Sequence, residues 1–309
     1  MTTAVSAPGR RLRQSAVLAA LPDPWPEDAL GEVQRLLHDD DRTVVVLDDD
    51  PTGTQTVHGV SVLMDWSCDT LQREFATRPR VFFVLTNSRA LNEGDARHLI
   101  RNLAENLRSA ARATRREFVV VSRSDSTLRG HFPAETDVLT SVLGPFAATI
   151  LIPYFEAGGR LTIDDHHYVA EDGWLIPAAE TPFARDATFG YRHSNLREWI
   201  GEKTCGRISA DEIQSITLRE IRAAGPGAIA HRLMSLPAGA IVVVNAAHRR
   251  DAEVFALAAL MAERAGRRFL YRSAASFAGF RAGIAPRPPV QRAEIALRAT
   301  GTTGGLVVV

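Results

Sequence analysis

The chain of 309 residues holds only two cysteines, Cys68 and Cys205, far apart in sequence and without metal-ligand spacing. That argues against a structural zinc site or a disulfide framework and fits a reducing, cytoplasmic setting. There is a single lysine, Lys203, and because Glu202 precedes it the chain has no G-x-x-x-x-G-K-[ST] phosphate loop. Neither charge sign is in excess: Lys+Arg and Asp+Glu are both 36, for a net charge of +0. Bulk charge therefore offers nothing to a nucleic acid or a membrane surface. Nor does any apolar run approach the ~20 residues of a membrane helix. Arg10, Arg11 and Arg13 before a short apolar stretch imitate a secretory leader, but Pro22, Asp23 and Pro24 follow Leu21 where small cleavage-site residues belong. What is present is a globular composition, 45% hydrophobic and 23% charged, long enough for one large or two ordinary domains.

The stretch that organises the rest is 44–53, V-V-V-L-D-D-D-P-T-G. Its four apolar residues without alternation predict a strand buried on both faces, and Pro51 and Gly53 end it in a tight loop. Asp48, Asp49 and Asp50 then stand at a strand end, the edge where open α/β sheets bind ligands. Three adjacent carboxylates are tolerable if solvated, paired with arginine, or neutralised by a metal or ligand. The loop thus reads either as a solvated turn or as a catalytic or Mg²⁺-facing loop.

Along the chain, a helix opens at Pro26 and Asp28, strands fall over 59–64 and 81–85, and Asp69 is placed to cap a short helix between them. Asn92 and Asp95 cap a long helix marked by Leu99, Leu103 and Leu107. The next strand, 118–121, runs into S-R-S-D-S-T-L-R-G-H at 122–131, with Pro133 opening a helix. Hydroxyls, Arg123, Arg129 and Gly130 are gathered before a helix N-terminus, a place attractive to carboxylate or phosphate. The bland alternative is a Ser/Thr-rich cap with surface arginines. A strand over 149–152 follows. From 153 to 204 the periodicity fails, which predicts an irregular lid or excursion. Adjacent His166 and His167 in it read as loop packing rather than a metal pair. Strands and helices then alternate to about 271, implying an α/β fold with a largely parallel sheet and helices on both faces. The expected organisation is an N-terminal extension and helix over 1–40, an α/β domain over 41–280, and over 281–309 a linker and the first strand of an incomplete second α/β domain.

Two chemistries fit. The spacing Asp48-x-Asp50-x-Thr52 after an apolar strand resembles the opening motif of haloacid-dehalogenase-type phosphatases, with Asp164 and Asp165 as acids for Mg²⁺; that reading needs a lysine, and Lys203 stands alone. The other is phosphoryl transfer to a small acid, which needs arginines for a carboxylate, Asp and Ser groups for hydroxyls, and a carboxylate base.

Four motifs in order, D-D-D-P-T-G-T-Q-T-V (48–57), S-R-S-D-S-T-L-R-G-H (122–131), T-P-F-A-R-D-A-T-F-G-Y (181–191) and F-L-Y-R-S-A-A-S-F (269–277), resemble the four-carbon acid sugar kinase family. The resemblance implies an ATP- and Mg²⁺-dependent kinase acting on threonate, erythronate or an oxo relative, in two α/β domains. The N-terminal one would hold the sugar acid and the C-terminal one most of the ATP site. It implies that the loops carrying Asp49, Asp50 and Thr52 and carrying Arg123, Asp125, Ser126, Arg129 and Gly130 form the substrate site; our own assignment of roles within it makes Asp49 or Asp125 the base and has Arg123 and Arg129 hold the carboxylate. No residue is assigned to the nucleotide or a metal. Family members continue past the strand at 306–309, so the expectation is a chain that binds sugar acid and transfers phosphate poorly or not at all. A non-catalytic sugar-acid-binding module is the third alternative. The expected partners are a sugar acid, ATP and a second copy of the chain, with no nucleic acid or membrane.

Overall fold

The computed structural model describes residues 11–288. The chain opens with β1 (Leu12–Arg13), α1 (Gln14–Ala19) and α2 (Ala29–Leu37), the last capped by Asp28, which accepts a hydrogen bond from the Gly31 amide at 3.1 Å. Next come β2 (Thr43–Asp48), β3 (Ser61–Leu63), α3 (Cys68–Ala76), β4 (Val81–Leu85), α4 (Glu93–Thr114) and β5 (Phe118–Arg123). Then α5 (Ala134–Leu143) and β6 (Ala148–Ile152) lead into β7 (Arg160–Ile163), β8 (His166–Glu171), β9 (Trp174–Pro177) and α6 (Leu196–Lys203). The described part closes with β10 (Gln214–Ile216), α7 (Gly225–Met234), β11 (Ala240–Val244), α8 (Arg249–Arg264), β12 (Phe269–Ser273) and α9 (Ala275–Arg281).

Eight strands form one parallel sheet in the order β10-β11-β6-β12-β5-β2-β4-β3. Successive side chains point to opposite faces, so Val44 and Val46 join Val33, Phe255 and Phe277 beneath α2, α8 and α9, while Val45 and Leu47 join Leu71, Leu103 and Leu107 beneath α3 and α4. Both faces are covered, and that is why these strands read as unbroken apolar runs. The α/β class with helices on both faces is thus the observed one.

Three local expectations are corrected. Ser67, not Asp69, caps α3: its side chain accepts from the Thr70 amide at 3.4 Å, and Asp69 falls inside the first turn. The segment 153–204 is not irregular. It builds a second, antiparallel sheet in the order β1-β9-β8-β7, followed by short 3₁₀ turns and α6, whose Trp199 stacks on Phe132 with ring centroids 4.9 Å apart. Two-residue turns at Asp164-Asp165 and Asp172-Gly173 join its strands, and all four residues have positive φ. Paired left-handed residues match the twist of a hairpin. Finally, Arg281 does not begin a linker: it ends α9 fully buried, its guanidinium bound to Glu263. The expected strand at 306–309 and the glycine-rich stretch before it lie outside the described residues.

Candidate active site

Parallel pairing sets Asp48 level with Leu85 on one side and Arg123 on the other, and Arg123 level with Ser273. The loops leaving β2, β4, β5 and β12 therefore converge at the carboxyl edge of the sheet.

The three acids of the first loop take three different roles. Asp48 is buried, and its Oδ1 accepts from Arg123 Nη1 at 3.0 Å and from the Asp50 amide at 3.3 Å. Burial pushes its carboxyl up to about 6, against the pull of Arg123. Gly53 crosses directly above this carboxylate, and a Cβ there would overlap it. Asp49 stands at the centre. Its Oδ1 accepts from Arg89 Nη2 at 2.8 Å, and its Oδ2 accepts from Ser124 Oγ at 2.7 Å and Arg89 Nε at 3.3 Å. Asp50 is the most open of the three, with its side chain 27% exposed. It accepts from the Thr52 amide and hydroxyl and lies 3.3 Å from Arg89. Burial opposes ionisation there, but Thr52 and Arg89 outweigh it and hold the carboxyl below its ordinary value.

The second loop closes over the first. Ser124 donates to Asp49 and to the Arg129 carbonyl at 3.0 Å. Gly130 has φ +125°, and a Cβ at that position would lie 2.5 Å from Ser124 Oγ and 3.0 Å from Asp49 Oδ2. Only glycine lets the two loops approach so closely. Asp125 accepts from Arg129 Nε at 2.6 Å and from the Thr127 hydroxyl. Burial raises its carboxyl less than Arg129 and Thr127 lower it. Arg129 also faces Asp186 at 3.8 Å and lies over the Phe183 ring, its Cζ 5.1 Å from the centroid. Ser126 enters through its backbone: its carbonyl accepts from Nε2 of His167, whose Nδ1 accepts from the Thr162 hydroxyl. This completely buried histidine ties the loop to the antiparallel sheet, and burial pushes its imidazole down to about 4.

Of the residues singled out from sequence, Asp49, Asp50, Thr52, Arg123 and Gly130 thus share one cluster, with Asp125 and Arg129 forming a pair beside it. Arg123 and Arg129 do not flank one free space. Arg123 is 5% exposed and engaged by Asp48, although its Nε is buried without a hydrogen-bond partner. Sequence reasoning gave no role to Arg89, Ser124, Arg272 or Glu135. Arg272 lies beneath the loops, donating to Ser122 at 2.7 Å, Ser124 at 2.8 Å and Glu135 at 2.5 Å, while the other Glu135 oxygen accepts from Ser88 at 2.5 Å. A usable signal existed: an arginine near the end of a buried apolar strand, and a glutamate in the first turn of an apolar helix, are charges where core is expected.

The groups needed for phosphatase chemistry are engaged elsewhere. Lys203 donates to the carbonyls of Phe189 and Gly190, and Asp165 accepts from Ser215 and Asn245. Among the described residues no three His, Cys, Asp or Glu side chains form a group that could hold a metal ion. Arg89 and Arg123 compensate the acids of the first loop instead. No described helix is long and apolar enough to cross a membrane.

Comparison with known proteins gives the family and the fold. Residues 44–281 match the model of a sugar-binding N-terminal domain. The chain is 31% identical over 148 residues to a D-threonate kinase of Bordetella bronchiseptica and 30% identical over 151 residues to a D-erythronate kinase of Heliobacterium modesticaldum. These alignments take in 47% and 46% of the chain and span about a third of each relative, 34% and 32%. Among solved structures, a domain of unknown function from B. bronchiseptica, crystallised with citrate as a domain-swapped dimer, superposes with a TM-score of 0.60 at 24% identity, over 78% of this chain and 56% of that one. A Haemophilus influenzae protein superposes at 0.53 and 14% identity, over 77% and 55%. Both share the fold. The chain belongs to the four-carbon acid sugar kinase family, whose sugar-binding N-terminal domain it carries over residues 44–281.

Proposed function

We propose that the carboxyl edge binds a four-carbon sugar acid, threonate or erythronate, and presents one of its hydroxyls for ATP-dependent phosphorylation. The observation that carries this reading is Asp49, held between Arg89 and Ser124 with Asp50 and Arg129 at the rim. It puts carboxylate acceptors for hydroxyls beside guanidinium groups for an acid. The recess between Ser124, Arg129, Trp199 and Arg272 has a volume of about 10 Å³, room for a water and not for a sugar acid. The substrate therefore lies outward, against Asp50, Arg89 and Arg129, whose side chains are 27%, 18% and 28% exposed, and reaches Asp49 behind them with the accepting hydroxyl alone.

In this reading Arg129 and Arg89 hold the substrate carboxylate by paired hydrogen bonds. Asp49 takes the proton of the accepting hydroxyl, because Asp125 is committed to Arg129 and Thr127. Arg123 supports Asp48 beneath them. ATP supplies the phosphoryl group. The described residues offer no Mg²⁺ ligand set, so no step is assigned to a metal held by this chain. Two free thiols fit a cytoplasmic address.

Calorimetric titration with D-threonate and D-erythronate tests the reading. Either acid is expected to bind, and Arg129→Gln to weaken it at least tenfold, the effect of losing a charge-assisted hydrogen bond of about 1.5–3 kcal/mol. Absence of binding by both acids overturns it. Product formation with Mg-ATP then separates a kinase from a module that binds the acid without turnover.

A further inference from the structure

A cleft opens at the opposite end of the sheet. It has a volume of about 710 Å³ and is walled by the start of β5, the C-terminal half of α4, the end of α5 and the turn between α8 and β12. Volumes of ~300–1,000 Å³ are those of small-molecule sites. Six arginines and two glutamates line it. One of the glutamates, Glu263, is already engaged by Arg281 and Tyr271.

Four of the six arginines have no counter-ion among the described residues; Arg42 pairs with Asp40, and Arg116 with Asp41 at 3.4 Å. Arg108 donates to the Val142 carbonyl at 3.0 Å and Arg268 to the Leu143 carbonyl at 2.9 Å, contacts that satisfy the end of α5 and leave both positive charges without a counter-ion. The side chains of Arg112 and Arg267 make neither a hydrogen bond nor an ion pair among the described residues. The side chain of Arg116 is only 7% exposed, yet its Nε is buried without a partner. A buried N–H left unpaired is costly, and an anion accepting from it would recover that cost. Beside these groups the ring of Phe118 forms part of an apolar wall.

We propose that this cleft is a second anion site that takes a polyphosphate, alone or as the phosphate chain of a nucleotide. Four convergent guanidinium groups without a counter-ion among the described residues favour a multiply charged anion over a single carboxylate, since each supplies donors in a planar fork. The site is separate from the sugar-acid edge. β5 runs from Phe118 at the cleft to Arg123 at the candidate active site, five residues or roughly 17 Å apart. The inference does not rest on the sugar-acid reading.

Titration of the full chain with sodium tripolyphosphate and with ATP, both without divalent metal, tests it. Both anions are expected to bind, less tightly as salt rises. The double variant Arg112→Glu, Arg267→Glu is expected to lose at least tenfold in affinity, with its thermal midpoint unchanged. If charge reversal prevents folding, Arg112→Ala with Arg267→Ala serves the same purpose. Tighter binding of ATP than of tripolyphosphate would place the base against the Phe118 wall, and equal binding would mean that the phosphates alone are recognised; both support the site. The proposal is overturned if neither anion binds, if the double variant binds as the parent does, or if binding is lost in Arg129→Gln instead, which would put the anion at the carboxyl edge.

Discussion

Arg272 shows how much a single side chain can organise. It is 4% exposed and holds Ser122, Ser124 and Glu135 at once, and through Ser124 it fixes the orientation of Asp49. Replacement by methionine removes the cation and leaves Glu135 buried with Ser88 alone. Breaking a buried pair in this way costs on the order of 3–5 kcal/mol. Urea unfolding of Arg272→Met should show a loss of that size. Adding Glu135→Gln should restore part of it, because the uncompensated charge is then gone; no recovery in the double variant would mean that Glu135 carries no such charge. Arg272 acts through its neighbours, so the conservative Arg272→Lys variant should retain sugar-acid binding better than the methionine variant.

At the scale of elements, β8 bears the buried histidine that joins the antiparallel sheet to the loop after β5. His167 has its imidazole lowered to about 4, below the ~6.5 of an unfolded histidine. The unfolded chain therefore binds the extra proton first. His167 contributes its full stability above pH ~6.5, and that contribution is lost as pH falls toward 4. Between pH 7 and pH 5 the loss is about 2 kcal/mol for this group alone. Comparing the thermal midpoints of the parent and His167→Gln at the two pH values isolates it: the parent should fall further. Equal falls would show that His167 is not buried neutral. The same region marks the limit of sequence reading. The parallel strands were legible because burial on both faces writes an apolar run ended by polar residues, as at 44–50 and 118–125. The second sheet was not, because its strands have two to six residues, mixed polarity and partners as distant as Leu12. Its hairpin turn at Asp172-Gly173 was the readable trace. Site residues in the loops could be named from their types, whereas Arg89, Arg272 and Glu135 depend on pairing across 40 residues or more, which no local pattern records.

For the molecule as a whole, the last strand of the described sheet in sequence lies at its middle. β5 pairs with β2 and β12, and β6 with β11 and β12, so among the described residues β12 alone links the two halves of the sheet. A nascent chain that has emerged only to residue 268 holds two half-sheets, each with an open apolar edge, the kind of surface that invites aggregation. Arrival of β12 works as a keystone, joining the halves and delivering Arg272 and Ser273 to the binding edge in one event. Ligand competence and completion of the fold would then coincide during synthesis. Stalled ribosome-bound chains should be cleaved readily by protease until α9 has cleared the exit tunnel and should become resistant abruptly; gradual protection from residue 152 onward would contradict a keystone.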